Sequence, residues 1–181
     1  QTTSSGGTDG FISKLSNDGK KMLASTYIGT SRYDQTYFIE IDKKGQVFAM
    51  GQTEGHMPVS GSVYSNKDGG QFIAKLDSTL SSLLLSTVFG TGRGGGTPDP
   101  DISPTALLVD NCDLVYIAGW GSDITYGNKH SGSTNGMPIV TTPYPPKYAT
   151  TDGNDFYLIV FEPNLTGLRY TTFFGGSASE D

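Results

Sequence analysis

An internal repeat constrains this chain most, because copies of one strand pattern must stack on one another to bury the apolar face each leaves open. Three segments align. They are Asp9-Gly-Phe-Ile-Ser-Lys-Leu-Ser16 with Leu23 to Gly29, Gly70-Gln-Phe-Ile-Ala-Lys-Leu-Asp77 with Leu84 to Gly90, and Asn154-Asp-Phe-Tyr-Leu-Ile-Val-Phe161 with Arg169 to Gly175. Each reads as a strand, a short polar turn and a second strand. Aligned on their phenylalanines, the copies place Phe11, Phe72 and Phe156 in equivalent positions.

A second repeated pair lies between these hairpins. Tyr37 to Asp42 leads through Lys43-Lys44-Gly45 into Val47 to Gly51, and Thr105 to Asp110 leads through Asn111-Cys112-Asp113 into Val115 to Gly119. A Met-Pro-aliphatic step follows both, at Met57-Pro58-Val59 and Met137-Pro138-Ile139. A full unit is therefore four short strands. Asn17-Asp18-Gly19 and Lys44-Gly45 supply the turn residues and positive-φ glycines that tight hairpins use. Helical periodicity is absent, and the composition, with 25 Gly, 9 Pro and 20 aromatics in 181 residues, suits short strands joined by many turns.

Four-stranded units of this length predict an all-β fold, a β-propeller of four-stranded antiparallel blades. A two-sheet β-sandwich is the alternative, but a sandwich needs no internal copy of its own strands. The predicted organisation is a half blade at 9–29, a blade at 37–90 and a blade at 105–175, with long insertions at 91–100 and 120–136. Because rings commonly need at least four blades, the chain is expected to be an incomplete fragment whose partners are the remaining blades of a parent polypeptide.

The repeated wording of residues 9–29, 70–90 and 45–59 resembles the SBBP family, the bacterial beta-propeller repeat. Its strongest carriers are Phe11-Ile12 with Lys14-Leu15, Phe72-Ile73 with Lys75-Leu76, and the strand endings at 25–29, 86–90 and 171–175. The copies it looks most like occur in large secreted or cell-surface proteins of gliding and related Bacteroidetes, many of them exported by type IX secretion and associated with gliding motility. The resemblance implies an extracellular or outer-surface location and a non-catalytic structural or interaction role, including adhesion. It carries no catalytic residues with it.

The chemistry of individual residues adds little to that expectation. A formal charge of −6 with no basic run longer than a pair argues against nucleic acid, and no apolar run is long enough for membrane insertion. No nucleophile elbow or phosphate loop is present; Arg93-Gly94-Gly95-Gly96 lacks the ending and the helix that such a loop requires. Asp99 and Asp101 offer hard oxygen ligands that could hold calcium, although Pro98, Pro100 and Pro104 stiffen the segment and no known calcium spacing is met. No other cofactor is expected.

Trp120, Tyr126, His130, Tyr144 and Tyr148, set among Gly, Asn, Ser and Pro, make 120–148 the candidate binding surface for a surface glycan or a protein. The plainer expectation for this loop is that its aromatics pack it back over the blade. Part of a polysaccharide-active enzyme is a further alternative. Asp77-Ser78-Thr79 is similar to the O-glycosylation acceptor of exported Bacteroidetes proteins, with Ser78 as the modified residue.

Overall fold

In the computed structural model, which describes residues 2–122 and 132–177, ten strands form three antiparallel sheets in chain order. Sheet I pairs β1 (Gly10–Leu15) with β2 (Met22–Ile28). Sheet II is a meander of β3 (Asp34–Ile41), β4 (Val47–Thr53), β5 (Gln71–Leu76) and β6 (Leu83–Phe89). Sheet III repeats that order with β7 (Ser103–Val109), β8 (Val115–Trp120), β9 (Phe156–Phe161) and β10 (Leu168–Phe174). A 3-10 turn, Pro163–Leu165, sits between β9 and β10. The fold is all-β, as expected.

One turn design recurs through the strand pairs. Gly19, Gly45, Leu80 and Asp113 each donate their N–H to the carbonyl three residues back, at 2.8–3.1 Å, and each has φ between 60° and 75°. Type I turns followed by a left-handed residue match the twist of paired strands. Asp42 and Asp110 reinforce their turns by accepting backbone N–H groups two and four residues on. Leu80 and Leu165 adopt φ of 60° although their Cβ atoms disfavour it. Both are buried, each filling the gap between successive sheets, and that burial offsets the strain.

The sheets stack face to face around two apolar cores. Ile12 and Ile28 of sheet I meet Val47, Ala49, Phe72, Ala74, Leu76 and Val88 of sheet II, with Met57 inserted beside them. From the opposite face of sheet II, Phe48, Met50, Ile73 and Phe89 meet Val115, Ile117, Tyr157, Ile159, Phe161 and Phe173 of sheet III, with Met137 in the position that Met57 holds. Successive residues of β4 therefore enter different cores, and every residue of β4 and β5 is buried. The mixed burial along the strands of sheets I and III follows from their having a neighbouring sheet on one face only, and that of β3 and β6 from their places at the edges of sheet II.

Strand pairing corrects the alignment of the third copy by one residue. Gly51 pairs with Phe72 and Gly119 pairs with Tyr157, so Tyr157, not Phe156, is the counterpart of Phe72. The whole third hairpin follows this register, because Phe72 opposes Val88 as Tyr157 opposes Phe173. Phe156 consequently corresponds to Gln71 and points to the other face. A one-residue shift exchanges the faces of a strand, which is why the inward ring belongs to Tyr157. Its hydroxyl donates to Pro138 O at 2.6 Å.

Candidate interaction surfaces

Among the described residues, surfaces at the ends of the stack remain open, and their equivalents in sheet II show what normally covers them. On the outer face of sheet III, Trp120 opposes Phe156, and Phe156 opposes Phe174. Tyr148 extends this cross-strand row, its ring edge-on to Phe174 at 6.5 Å between centroids. Leu158 and Leu108 are exposed on the same face. The sheet II counterparts of Phe174 and Leu158 are Phe89 and Ile73. Phe89 is 0% exposed whereas Phe174 is 62% exposed.

The counterparts of Trp120 and Phe156 are Gln52 and Gln71, and these latch sheet II to the lead-in of sheet III. Gln52 Nε2 donates to Ile102 O at 2.7 Å, and Tyr37 Oη donates to Gln52 Oε1 at 2.9 Å. Gln71, in the amide orientation that gives both ends a partner, accepts from the N–H groups of Asp101 and Ile102 and donates to Phe89 O. Buried amides of this kind are stabilising only when fully bonded. Phe156 has no polar side-chain atom and Trp120 only its indole N–H, with no acceptor, so sheet III offers a largely aromatic surface where sheet II offers a polar latch.

Asp101 belongs to this junction. It is fully buried and accepts from Thr91 N at 2.7 Å and Thr91 Oγ1 at 2.6 Å. Arg93 Nε lies 3.4 Å from Asp101 and 3.8 Å from Asp99, while its terminal nitrogens donate to Ser133 O and Pro100 O. Burial raises the Asp101 pKa, opposed by the Thr91 hydrogen bonds and the Arg93 charge. A guanidinium thus stands between the two carboxylates considered for calcium. Among the described residues, no three His, Cys, Asp or Glu side chains are grouped as a metal site.

The remaining candidate binding residues divide between strand and edge. Trp120 ends β8, whereas Tyr144 and Tyr148 lie in a connector running along the outer edge of β10. Tyr148 N donates to Thr172 Oγ1 at 2.9 Å, Tyr148 O accepts from Phe173 N, Val140 N donates to Thr171 Oγ1, and the Arg169 guanidinium lies 5.5 Å from the Tyr144 ring. This connector resembles that of sheet II, where Ser60 bridges Ser86 on the edge of β6. Tyr126 and His130 lie outside the described residues. Trp120 and Tyr148 stand at opposite ends of the aromatic row. Ser78 is exposed in the β5–β6 turn, where Ser81, Thr79 and backbone groups bond Asp77 and lower its pKa to about 2.

The second open surface is a step at sheet I. Nothing among the described residues pairs with the edge of β1 opposite β2. Beside that edge, Ile39 and Ile41 on β3 are 51% and 60% exposed. Ile12, Lys14, Ile39, Ile41, Val47 and Leu80 line a groove of about 130 Å³ there. Sequence reasoning passed over this step and over the glutamine latch. The alternation of Ile39 and Ile41 is visible in the sequence but its missing cover is not, and nothing in the sequence marks Gln52 and Gln71 as bonded partners of the 101–102 backbone.

Searches against protein-family models and among curated proteins found no match for this chain.

Proposed function

We propose that this chain is a non-catalytic structural and interaction segment of a β-propeller of the bacterial beta-propeller repeat type, within a secreted or cell-surface protein. One observation carries the reading. The inner strands of sheet II, β4 and β5, are covered on both faces by neighbouring sheets, while among the described residues the equivalent positions on the outer faces of sheets I and III are uncovered. A two-sheet sandwich has no sheet buried on both faces, whereas repeated sheets stacked in series do. The surface location and the kinship to Bacteroidetes proteins rest on the resemblance of the repeats.

The test is to compare this chain with one extended by further repeats at both ends. Exposed apolar faces predict that the extended chain unfolds at higher temperature in one cooperative transition. Equal thermal stability of the two chains would sink the reading.

A second reading is favoured by the replacement of the glutamine latch with Trp120 and Phe156. That exchange leaves a cross-strand aromatic row suited to a sugar ring or a peptide. Glycan-array binding that disappears in Trp120→Ala and Phe174→Ala would support it, and binding unaffected by both would remove it.

A further inference from the structure

The step at sheet I differs from the broad outer faces, because three features converge there and each has an occupied counterpart elsewhere in the same molecule. The first is the backbone edge of β1. Its equivalent, β5, is paired along its full length with β4, from Gln52 opposite Gln71 to Val47 opposite Leu76. The corresponding edge of β1 has no strand among the described residues, although an edge of unpaired N–H and C=O groups is a template for one.

The second feature is the apolar floor. Ile39 opposes Ala49 and Ile41 opposes Val47, as Leu107 opposes Ile117 and Val109 opposes Val115, so Ile39 and Ile41 correspond to Leu107 and Val109. Leu107 is 8% exposed and Val109 packs against the core that contains Phe48 and Met50. Phe38 packs there as well. What covers the floor on sheet III is thus the β3–β4 hairpin of the preceding sheet. Among the described residues, no such hairpin lies over Ile39 and Ile41.

The third feature is a lysine. Lys75 on β5 is buried, its Nζ 3.1 Å from Asp42 in the β3–β4 turn and 4.7 Å from the centre of the Phe48 ring. Lys14 holds the same position on β1 but is exposed, donating to Ser78 O at 3.1 Å. In sheet III the lysine is replaced by Val160, and there Tyr116, the counterpart of Phe48, donates its hydroxyl to Asp110 at 3.1 Å. The turn aspartate therefore receives a donor from the third strand or from the second. Lys14 supplies the first arrangement and lacks its acid.

We propose that this step is an acceptor site for a two-stranded antiparallel β-hairpin of β3–β4 chemistry. Its inner strand pairs antiparallel with β1. Alternate aromatic and thioether residues, in the places of Phe48 and Met50, cover Ile39, Ile41 and Val47. An aspartate at its turn, in the place of Asp42, meets Lys14. Strand addition of this kind draws affinity from main-chain hydrogen bonds and specificity from alternate side chains. The inference rests on the equivalence of the sheets, yet it concerns one edge and can fail while the stacking of sheets I, II and III stands.

The probe is a peptide with the sequence of residues 34–53, used free and also linked ahead of residue 2 through a copy of the 54–69 connector, because isolated hairpins are marginal in water. Hydrogen exchange of the β1 amides reads the edge directly. Alternate amides of residues 10–15 should gain protection of about tenfold or more in the linked form. Ile41→Ser, at an already exposed position, should weaken binding of the free peptide by about tenfold. Lys14→Met should weaken it comparably, with no further loss when the peptide also carries Asp42→Asn. Unchanged exchange in β1 in both formats, or additive losses for Lys14→Met and Asp42→Asn, would overturn the assignment. A concentration-dependent dimer dissolved by Ile41→Ser, with no peptide binding, would assign the step to a second copy of the chain and likewise overturn the hairpin.

Discussion

Sheets II and III share a strand order and a turn design, yet the same face has opposite fates in the two. In sheet II, Phe89 and Ile73 are sealed against sheet III, and Gln52 and Gln71 bind the chain that leads into it. On sheet III, Phe174 and Leu158 look outward, with Trp120 and Phe156 replacing the glutamines. The difference teaches that burial in this molecule belongs to the junction between sheets, not to the strand. A strand pair encodes a surface, and only a neighbour turns that surface into core.

The largest expected effect breaks or upholds that comparison directly. Phe89→Ala should destabilise the chain by about 3–5 kcal/mol, while Phe174→Ala should cost under about 1 kcal/mol in chemical denaturation. Similar losses at both positions would mean that Phe174 is already part of a packed junction. Next in size is the latch. Gln52→Ala removes the donor to Ile102 O and the acceptor for Tyr37, and should cost about 1–3 kcal/mol with the strand content unchanged by circular dichroism.

Acid titration sharpens the same contrast through two buried carboxylates. Burial opposes ionisation of Asp42, but the Gln46 and Lys44 N–H groups and Lys75 outweigh it and lower its pKa from 3.8. Its contribution is therefore present above that ordinary value and lost as pH falls through the native one. Asp101 is shifted upward, so its ionised form costs stability at neutral pH, and stability should recover as pH falls from its raised value toward 3.8. Carboxyl chemical shifts followed by NMR should move at higher pH for Asp101 than for Asp42; the reverse order would break the assignment of these environments. The smallest effect is at a turn, where Gly19→Ala should cost about 1 kcal/mol because φ is 70° and the site is otherwise open.

Much of the local architecture was legible because it is written in short-range chemistry. The hairpins around Asn17-Asp18-Gly19 and Lys44-Gly45 and the Met-Pro steps at Met57 and Met137 lie where spacing and turn residues suggest. The slip at Phe156 was not legible, since Phe156 and Tyr157 are adjacent aromatics and either suits a buried strand. Pairing with Gly119 chose between them. Leu80 and Leu165 were equally hidden, because a left-handed leucine is recognisable only once the inter-sheet gap it fills is known. The aromatic content of 120–148 was visible, but the edge of β10 that holds Tyr148 and Tyr144 was not.

By itself the sequence determined that the chain forms repeated antiparallel strand pairs, because alternation, turn chemistry and strand length act over a few residues. Tertiary structure decided which ring enters which core, that Arg93 stands between Asp99 and Asp101, and that β1 with Ile39, Ile41 and Lys14 forms a step that the described residues leave open. Those outcomes depend on contacts between residues tens of positions apart, and a single shift of register reverses them.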